Sequence, residues 1–133
     1  MTLDEYNGFC ASLPHASHCV QWGGAHVWKV GGKVFAIAGW SAGRDEPGVT
    51  FKCSPFSFEL LGETPGCRPA PYLASRGMKW IQRQTAESLG DEELKAYLME
   101  SHRIVALGLS GRLRRELGLE PDVAERAINR PRV

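Results

Sequence analysis

The chain has 133 residues, of which 43% are hydrophobic and 23% are charged, and its formal net charge is +1. These values are typical of one globular domain, and they exclude a bulk electrostatic attraction to nucleic acid or to a membrane. No apolar run approaches the length needed to span a bilayer, and the start MTLDEY does not resemble a signal peptide. We therefore expect a cytoplasmic protein with four free thiols, at Cys10, Cys19, Cys53 and Cys67.

A helix is predicted at the start of the chain, where Thr2 and Glu5 have the spacing of a capping box. Pro14 ends this helix. Residues at helical spacing then form one apolar side, namely Leu3, Tyr6, Phe9, Cys10 and Leu13.

A hairpin is predicted over residues 26–39, after a short first strand at 18–22. Its two strands are joined by Gly31-Gly32, a pair typical of a tight primed turn. Simple alternation places Trp28 opposite Phe35 on a bulky face that a helix should cover. The other face is smaller, and we expect it to meet water or a partner through Val27, Lys29, Val34 and Ala36.

The next predicted strand is Val49–Cys53, whose alternation places Lys52 on the open face of the sheet. Ser54-Pro55 indicates the start of a short helix that ends near Leu61. We expect this helix to bury Phe56 and Leu60, with Leu61 as a further candidate.

The second half of the chain predicts short strands at 72–73 and 80–84, a long helix over Asp91–Leu107 and a short one over Arg112–Leu117. A helix, a run of antiparallel strands and further helices indicate an α+β fold with helices packed on one face of the sheet. Residues 120–133 form a polar tail able to make one short helix.

Several segments, in their order and spacing over residues 2–117, resemble the MmcQ/YjbR-like family. They are the hairpin Trp28–Ala36, the junction Phe51–Pro55, the segment Tyr72–Trp80 and the helix residues Ser101–Val105. The resemblance implies one CyaY-like, double-wing domain over residues 1–119, in a family labelled as DNA-binding proteins. The Asn-Lys of the family pattern is Ala74-Ser75 here, and its His is Lys79, so no role of that Asn or His transfers.

A basic segment over residues 67–83 contains four cations and no acid, with aromatic residues between them. Cations bind phosphates, and exposed aromatic rings stack on bases. The leading hypothesis is backbone-directed DNA binding of low sequence specificity, with Arg76, Lys79 and Arg83 as the main phosphate contacts. Lys52 and Arg112 extend this patch. The alternative is a solvated loop with Trp80 packed in the core.

The rival hypothesis is an interaction domain that binds a protein or a small ligand on the open sheet face. Catalysis has little support, because the chain contains no nucleophile-elbow or phosphate-loop motif. His15, His18 and Cys19 lie close together but do not have a zinc-site spacing. We therefore expect neither enzymatic activity nor a metal or other cofactor.

Overall fold

The computed structural model describes residues 1–39, 46–71, 73–74 and 77–119. Four helices and six strands lie within these ranges. The helices are α1 Leu3–Ala11, α2 Pro55–Gly62, α3 Asp91–Leu107 and α4 Gly111–Leu117. The strands are β1 Ala16–Gln21, β2 Ala25–Val30, β3 Lys33–Ala38, β4 Val49–Lys52, β5 Cys67–Pro69 and β6 Trp80–Arg83.

The strands form one antiparallel sheet in the order β1-β2-β3-β4-β6-β5. Helices α1 and α3 pack on this sheet, and α2 lies against β5 and β6. The predicted α+β fold is confirmed. Of the strand expected at 72–73, Tyr72 lies outside the described residues and Leu73 lies in a turn, while the chain pairs with β6 earlier, through β5. In the described ranges, no helix combines the length and hydropathy required to cross a bilayer.

The first helix begins as the capping box predicts. Thr2 accepts the Glu5 amide at 3.1 Å, and the Glu5 carboxylate accepts the Thr2 amide at 3.0 Å. Tyr6 and Cys10 are fully buried in the main core between helices and sheet. The Tyr6 hydroxyl also donates to the His26 carbonyl at 2.9 Å, so α1 is bonded directly to β2.

The hairpin register differs from simple alternation because β3 contains a bulge. Val30 pairs with Lys33 across the predicted Gly-Gly turn, but Lys29 pairs with Val34 and Trp28 with Ala36. Phe35 is therefore an extra residue, and its side chain joins that of Ala36 on the helix-covered face. This shift corrects the expectation that Ala36 lies on the open face, and it moves Ile37 there instead.

The face of the sheet away from the helices is not open at its centre. Val27 and Ile37 are 0% and 2% exposed, and they form a second small core with Ala25. Leu73, from the connection between β5 and β6, packs against them. Of the four residues expected on the open face, Lys29 and Val34 are partly exposed, whereas Val27 and Ala36 are buried. The expectation of a continuous docking surface is therefore wrong.

Helix α2 begins at Ser54 and Pro55 as expected, with the Ser54 hydroxyl accepting the Ser57 amide at 3.1 Å. Its orientation differs from the prediction. Phe56 and Leu60 are 78% and 56% exposed, whereas Leu61 is buried. The helix spans eight residues and lies against β5 and β6. It therefore places one side in the core, through Leu61, and leaves Phe56 and Leu60 on its exposed side.

The two glycines of the hairpin turn allow the effect of side-chain packing to be separated from the effect of backbone strain. Gly31 and Gly32 both have positive φ, but a Cβ on Gly31 would lie 2.6 Å from the Leu109 side chain, whereas a Cβ on Gly32 would meet nothing within 4 Å. We expect Gly32→Ala to lower the free energy of unfolding by about 1 kcal/mol, because L residues disfavour this region. Gly31→Ala should cost more, since Leu109 must also move, and urea denaturation of both variants measures the difference. Equal losses would contradict a close contact between the turn and Leu109.

Candidate ligand-binding cleft

The sheet separates between β3 and β4. The two strands pair only through Ala36, Ile37 and Ala38 of β3. Lys33, Val34 and Phe35 precede this paired region, while Lys52 at the other end of β4 pairs with Trp80 of β6. The start of β3 and the end of β4 therefore diverge and leave a fork in the sheet.

A side chain of α3 occupies the fork. The Ser101 hydroxyl donates to the Phe35 carbonyl at 2.6 Å and accepts the Lys52 amide at 2.9 Å. Ser101 is fully buried, so these bonds satisfy two strand groups away from water. One hydroxyl thus joins the diverging strands and attaches both to the helix.

A cleft of about 360 Å³ opens at the fork. We call it the apolar cleft, because most of its lining is aliphatic or aromatic. Trp22 and Trp80 contribute aromatic surface, and Trp22 lies in a turn with φ of 54°, an uncommon conformation for a bulky residue. The remaining lining residues are Lys33, Val34, Ile37, Lys52, Leu73, Met78, Ile104, Val105 and Gly108.

A second cleft, of about 480 Å³, adjoins the first. We call it the cationic cleft, because it contains Lys52, Lys79 and Arg103 against a single carboxylate, Glu100. The two clefts share the lining residues Lys52, Met78 and Ile104. The other residues of the cationic cleft are Cys53, Ser54 and Pro55, so α2 begins at its edge and adds the positive end of a helix dipole.

The charges of the cationic cleft are only partly compensated. The Arg103 Nε donates to Glu100 at 2.9 Å, and this hydrogen bond lowers the pKa of the Glu100 carboxyl. Lys79 lies over the Phe58 ring, with Nζ 4.8 Å from the ring centre. Within the described part of the chain, neither Lys52 nor Lys79 has a carboxylate partner. Three cations against one carboxylate leave a formal charge of +2.

Cys53 lies in the cationic cleft but is a poor nucleophile. Burial raises the pKa of its thiol to about 11. The thiol sulfur also lies 3.8 Å from the Lys79 carbonyl, which accepts its weak hydrogen bond. The thiolate is therefore scarce at neutral pH.

Arg83, expected as a phosphate contact, belongs to a buried charge network. Its side chain is 1% exposed, and its guanidinium donates to the Leu89 carbonyl and to Asp91, each at 3.0 Å. Glu46 lies 3.9 Å away, and the Met1 amine contacts both carboxylates. The expectation of a surface cation fails because Arg83 points to the helix-covered face, where these acids meet it.

The other predicted site residues fall in three different places. Lys52 and Lys79 come together at the cationic cleft. Arg112 is 86% exposed on α4 and bonds to Glu116 at 3.1 Å, away from both clefts. Arg76 lies outside the described residues. Trp80 is 5% exposed, so it is packed as the alternative expected rather than free to stack on bases.

Three of the four histidines have structural partners. The His102 Nε2 lies 2.8 Å from the Pro14 carbonyl, and its ring packs edge-on against Phe35. His18 and His26 contact each other, with ring nitrogens 3.0 Å apart. No group of three or more potential metal ligands occurs among residues 1–39, 46–71, 73–74 and 77–119.

Three residues of the site were missed as site residues from the sequence. Arg103 was not predicted as a site residue, although it lies on α3 and lines the cationic cleft together with Lys79. Trp22 is an exposed turn residue next to two glycines, and Ser101 is a small polar residue inside the helix pattern. A polar residue on the apolar side of α3 was the available signal for Ser101, since buried hydroxyls need partners.

Comparisons with known proteins agree with this architecture. The model of the YjbR family matches residues 11–104. No curated protein matches the chain significantly. The crystal structure of Deinococcus radiodurans protein DR2400, with a DUF419 domain, is similar at a TM-score of 0.76 and 24% identity, covering 90% of this chain and 89% of that one. The crystal structure of a Pseudomonas syringae protein is similar at a TM-score of 0.62 and 18% identity, covering 79% of this chain and 99% of that one. These two likenesses show the fold alone.

Proposed function

The chain belongs to the YjbR family, and we propose that this member is a non-catalytic domain that binds a small ligand in the apolar cleft. The observation that carries the proposal is the fork between β3 and β4, held by Ser101, which leaves a cleft of about 360 Å³ beside two tryptophans. Small-molecule sites are typically concave, largely apolar and of this size, with a few polar groups.

The absence of catalysis is part of the proposal. The cleft presents aliphatic, aromatic and ammonium groups, which can bind and orient a molecule, and its lining contains no histidine, cysteine or carboxylate among the described residues. The nearby Cys53 thiol is held neutral by burial, and the Ser54 hydroxyl is engaged as a helix cap. We keep the cytoplasm as the proposed compartment, and the four free thiols support it.

The test uses N-phenyl-1-naphthylamine, a neutral aromatic probe whose fluorescence rises in apolar surroundings. We expect the protein to bind it with micromolar affinity. Val34→Phe should weaken binding at least about tenfold, because the added ring occupies cleft volume. The matched control is Val20→Phe, the same change at an exposed position of β1. No binding by the wild type, or equal weakening in both variants, would remove the proposal.

DNA binding is the second proposed function, and the cationic cleft is the observation that favours it. Lys52, Lys79 and Arg103 give three phosphate contacts, so the slope of log affinity against log salt is expected near about −2.7. Affinity for a duplex should then fall about fortyfold between 50 and 200 mM salt. Fluorescence anisotropy with a labelled duplex and a labelled single strand measures this. Absence of binding at about 50 mM salt would end this candidate.

A further inference from the structure

We propose that the ligand is an amphipathic organic anion, with an aromatic or alkyl body in the apolar cleft and a carboxylate, phosphate or sulfonate group in the cationic cleft. This inference rests on the proposed function and specifies its ligand class. It commits to one small molecule that spans both clefts, rather than to a nucleic acid that touches the cationic cleft alone.

The apolar cleft and the cationic cleft are continuous. The two clefts meet along Lys52, Met78 and Ile104, so a molecule in the apolar cleft lies next to the cations. Met78 is an adaptable apolar side chain, 40% exposed, at this junction. A ligand body that fills the apolar cleft therefore has its polar end directed to the cationic one.

The charge at the clefts favours an anionic ligand. Lys52 lines both clefts, and its backbone is fixed by the bond from its amide to Ser101. In the described ranges, its ammonium group and that of Lys79 lack carboxylate partners, whereas other cations such as Lys95 and Arg112 are paired on the surface. Ammonium groups without carboxylate partners beside an apolar cleft favour an anion over a neutral polar group.

A buried hydrogen-bond donor, the indole nitrogen Nε1 of Trp80, lacks a partner among the described residues. Trp80 lines the apolar cleft at 5% exposure. Buried donors are normally satisfied, because an unpaired one loses its hydration without replacement. A ligand body that carries an acceptor atom, such as an ether, carbonyl or ring nitrogen, provides a partner for this group.

The test compares two probes that share one aromatic body. N-phenyl-1-naphthylamine is neutral, and 8-anilino-1-naphthalenesulfonate adds one sulfonate. We expect the wild type to bind the sulfonate about tenfold more tightly at low salt, since the added charge meets Lys52 and Lys79. Lys52→Gln/Lys79→Gln should abolish this preference, so that the two probes bind this variant with affinities within about twofold of each other.

The control variant is Lys95→Gln/Arg112→Gln, which removes the same net charge away from the clefts. It should keep the preference for the sulfonate. Equal affinity of the wild type for both probes, or equal loss of preference in both double variants, would overturn the inference but not the proposed function. Failure of the neutral probe would overturn the proposed function itself. Urea denaturation of each variant verifies that the fold is intact.

A displacement series then distinguishes the anionic groups. Octanoate, octyl phosphate and octanol share one alkyl chain and compete for the bound naphthalenesulfonate. We expect both anions to displace it at concentrations at least about tenfold lower than octanol does. Tighter binding of octyl phosphate than of octanoate would assign a phosphate ligand, and the reverse would assign a carboxylate. Displacement by octanol as effective as by the anions would contradict the inferred class.

Discussion

Replacing Arg83 with alanine is expected to lower the free energy of unfolding by about 3 kcal/mol. The guanidinium is buried and bonds to Asp91 and to the Leu89 carbonyl. Its removal leaves that carbonyl unpaired, leaves Asp91 with the Met1 amine as its remaining partner, and creates a cavity. The loss stays near the lower end for buried ion pairs, because Asp91 and Glu46 are 40% and 46% exposed and recover some hydration. Urea denaturation measures it.

The matched control is Arg112→Ala. Arg112 is also paired with a glutamate, but it is 86% exposed, so the change should stay within about 0.5 kcal/mol. Similar losses in the two variants would contradict the assignment of Arg83 to the buried network. The comparison also matters for binding studies, since lower DNA affinity in an Arg83 variant reports a weakened fold rather than a lost phosphate contact.

The Arg83 network should also contribute to acid sensitivity. Burial alone would raise the pKa of Asp91, but hydrogen bonds from the Met1 amine and from Arg83 outweigh it and lower that pKa below its usual value. A carboxyl with a depressed folded-state pKa stabilises the fold above its unfolded value and loses this contribution as the pH falls through the folded value. The Arg83→Ala deficit should therefore shrink at acidic pH.

Replacing Ser101 with alanine is expected to lower the free energy of unfolding by about 3 kcal/mol. The hydroxyl satisfies the Lys52 amide and the Phe35 carbonyl in a fully buried position, and alanine leaves both without a partner. The strands diverge at this point, so they cannot replace these bonds without closing the fork. Denaturation experiments measure the loss.

Ser12→Ala is the control for this prediction. The Ser12 hydroxyl also donates to a carbonyl at 2.6 Å, that of Phe9, but in an exposed position where water replaces it. Its loss should cost less than about 0.5 kcal/mol. An equally small loss at Ser101 would indicate that β3 and β4 close the fork when the hydroxyl is absent.

Local signals predicted much of the fold. The capping box at Thr2 and Glu5, the Ser54-Pro55 helix start and the Gly31-Gly32 turn each depend on residues that are neighbours in sequence, and each is confirmed. The YjbR-like resemblance is likewise confirmed. These features need no knowledge of what packs against them.

The predictions that were wrong concern residues whose partners are distant in the sequence. The bulge at Phe35 has no glycine or proline to mark it, and its carbonyl bonds to Ser101, 66 residues along the chain. Arg83 looked like a surface cation because Asp91, Glu46 and the Met1 amine come to it from separate parts of the chain. The clefts are lined by residues from distant parts of the chain, so the sequence did not predict them. Strand alternation predicted only the face on which Lys52 lies.

The hydroxyl in the fork has a consequence for local dynamics. Most amide protons in a sheet exchange with solvent when neighbouring strands separate. The Lys52 amide is bound to α3 instead, so its protection from hydrogen exchange depends on the docking of that helix. Lys52 also lines both clefts, so we expect the exchange rate of its amide to fall when an occupant holds α3 against the sheet.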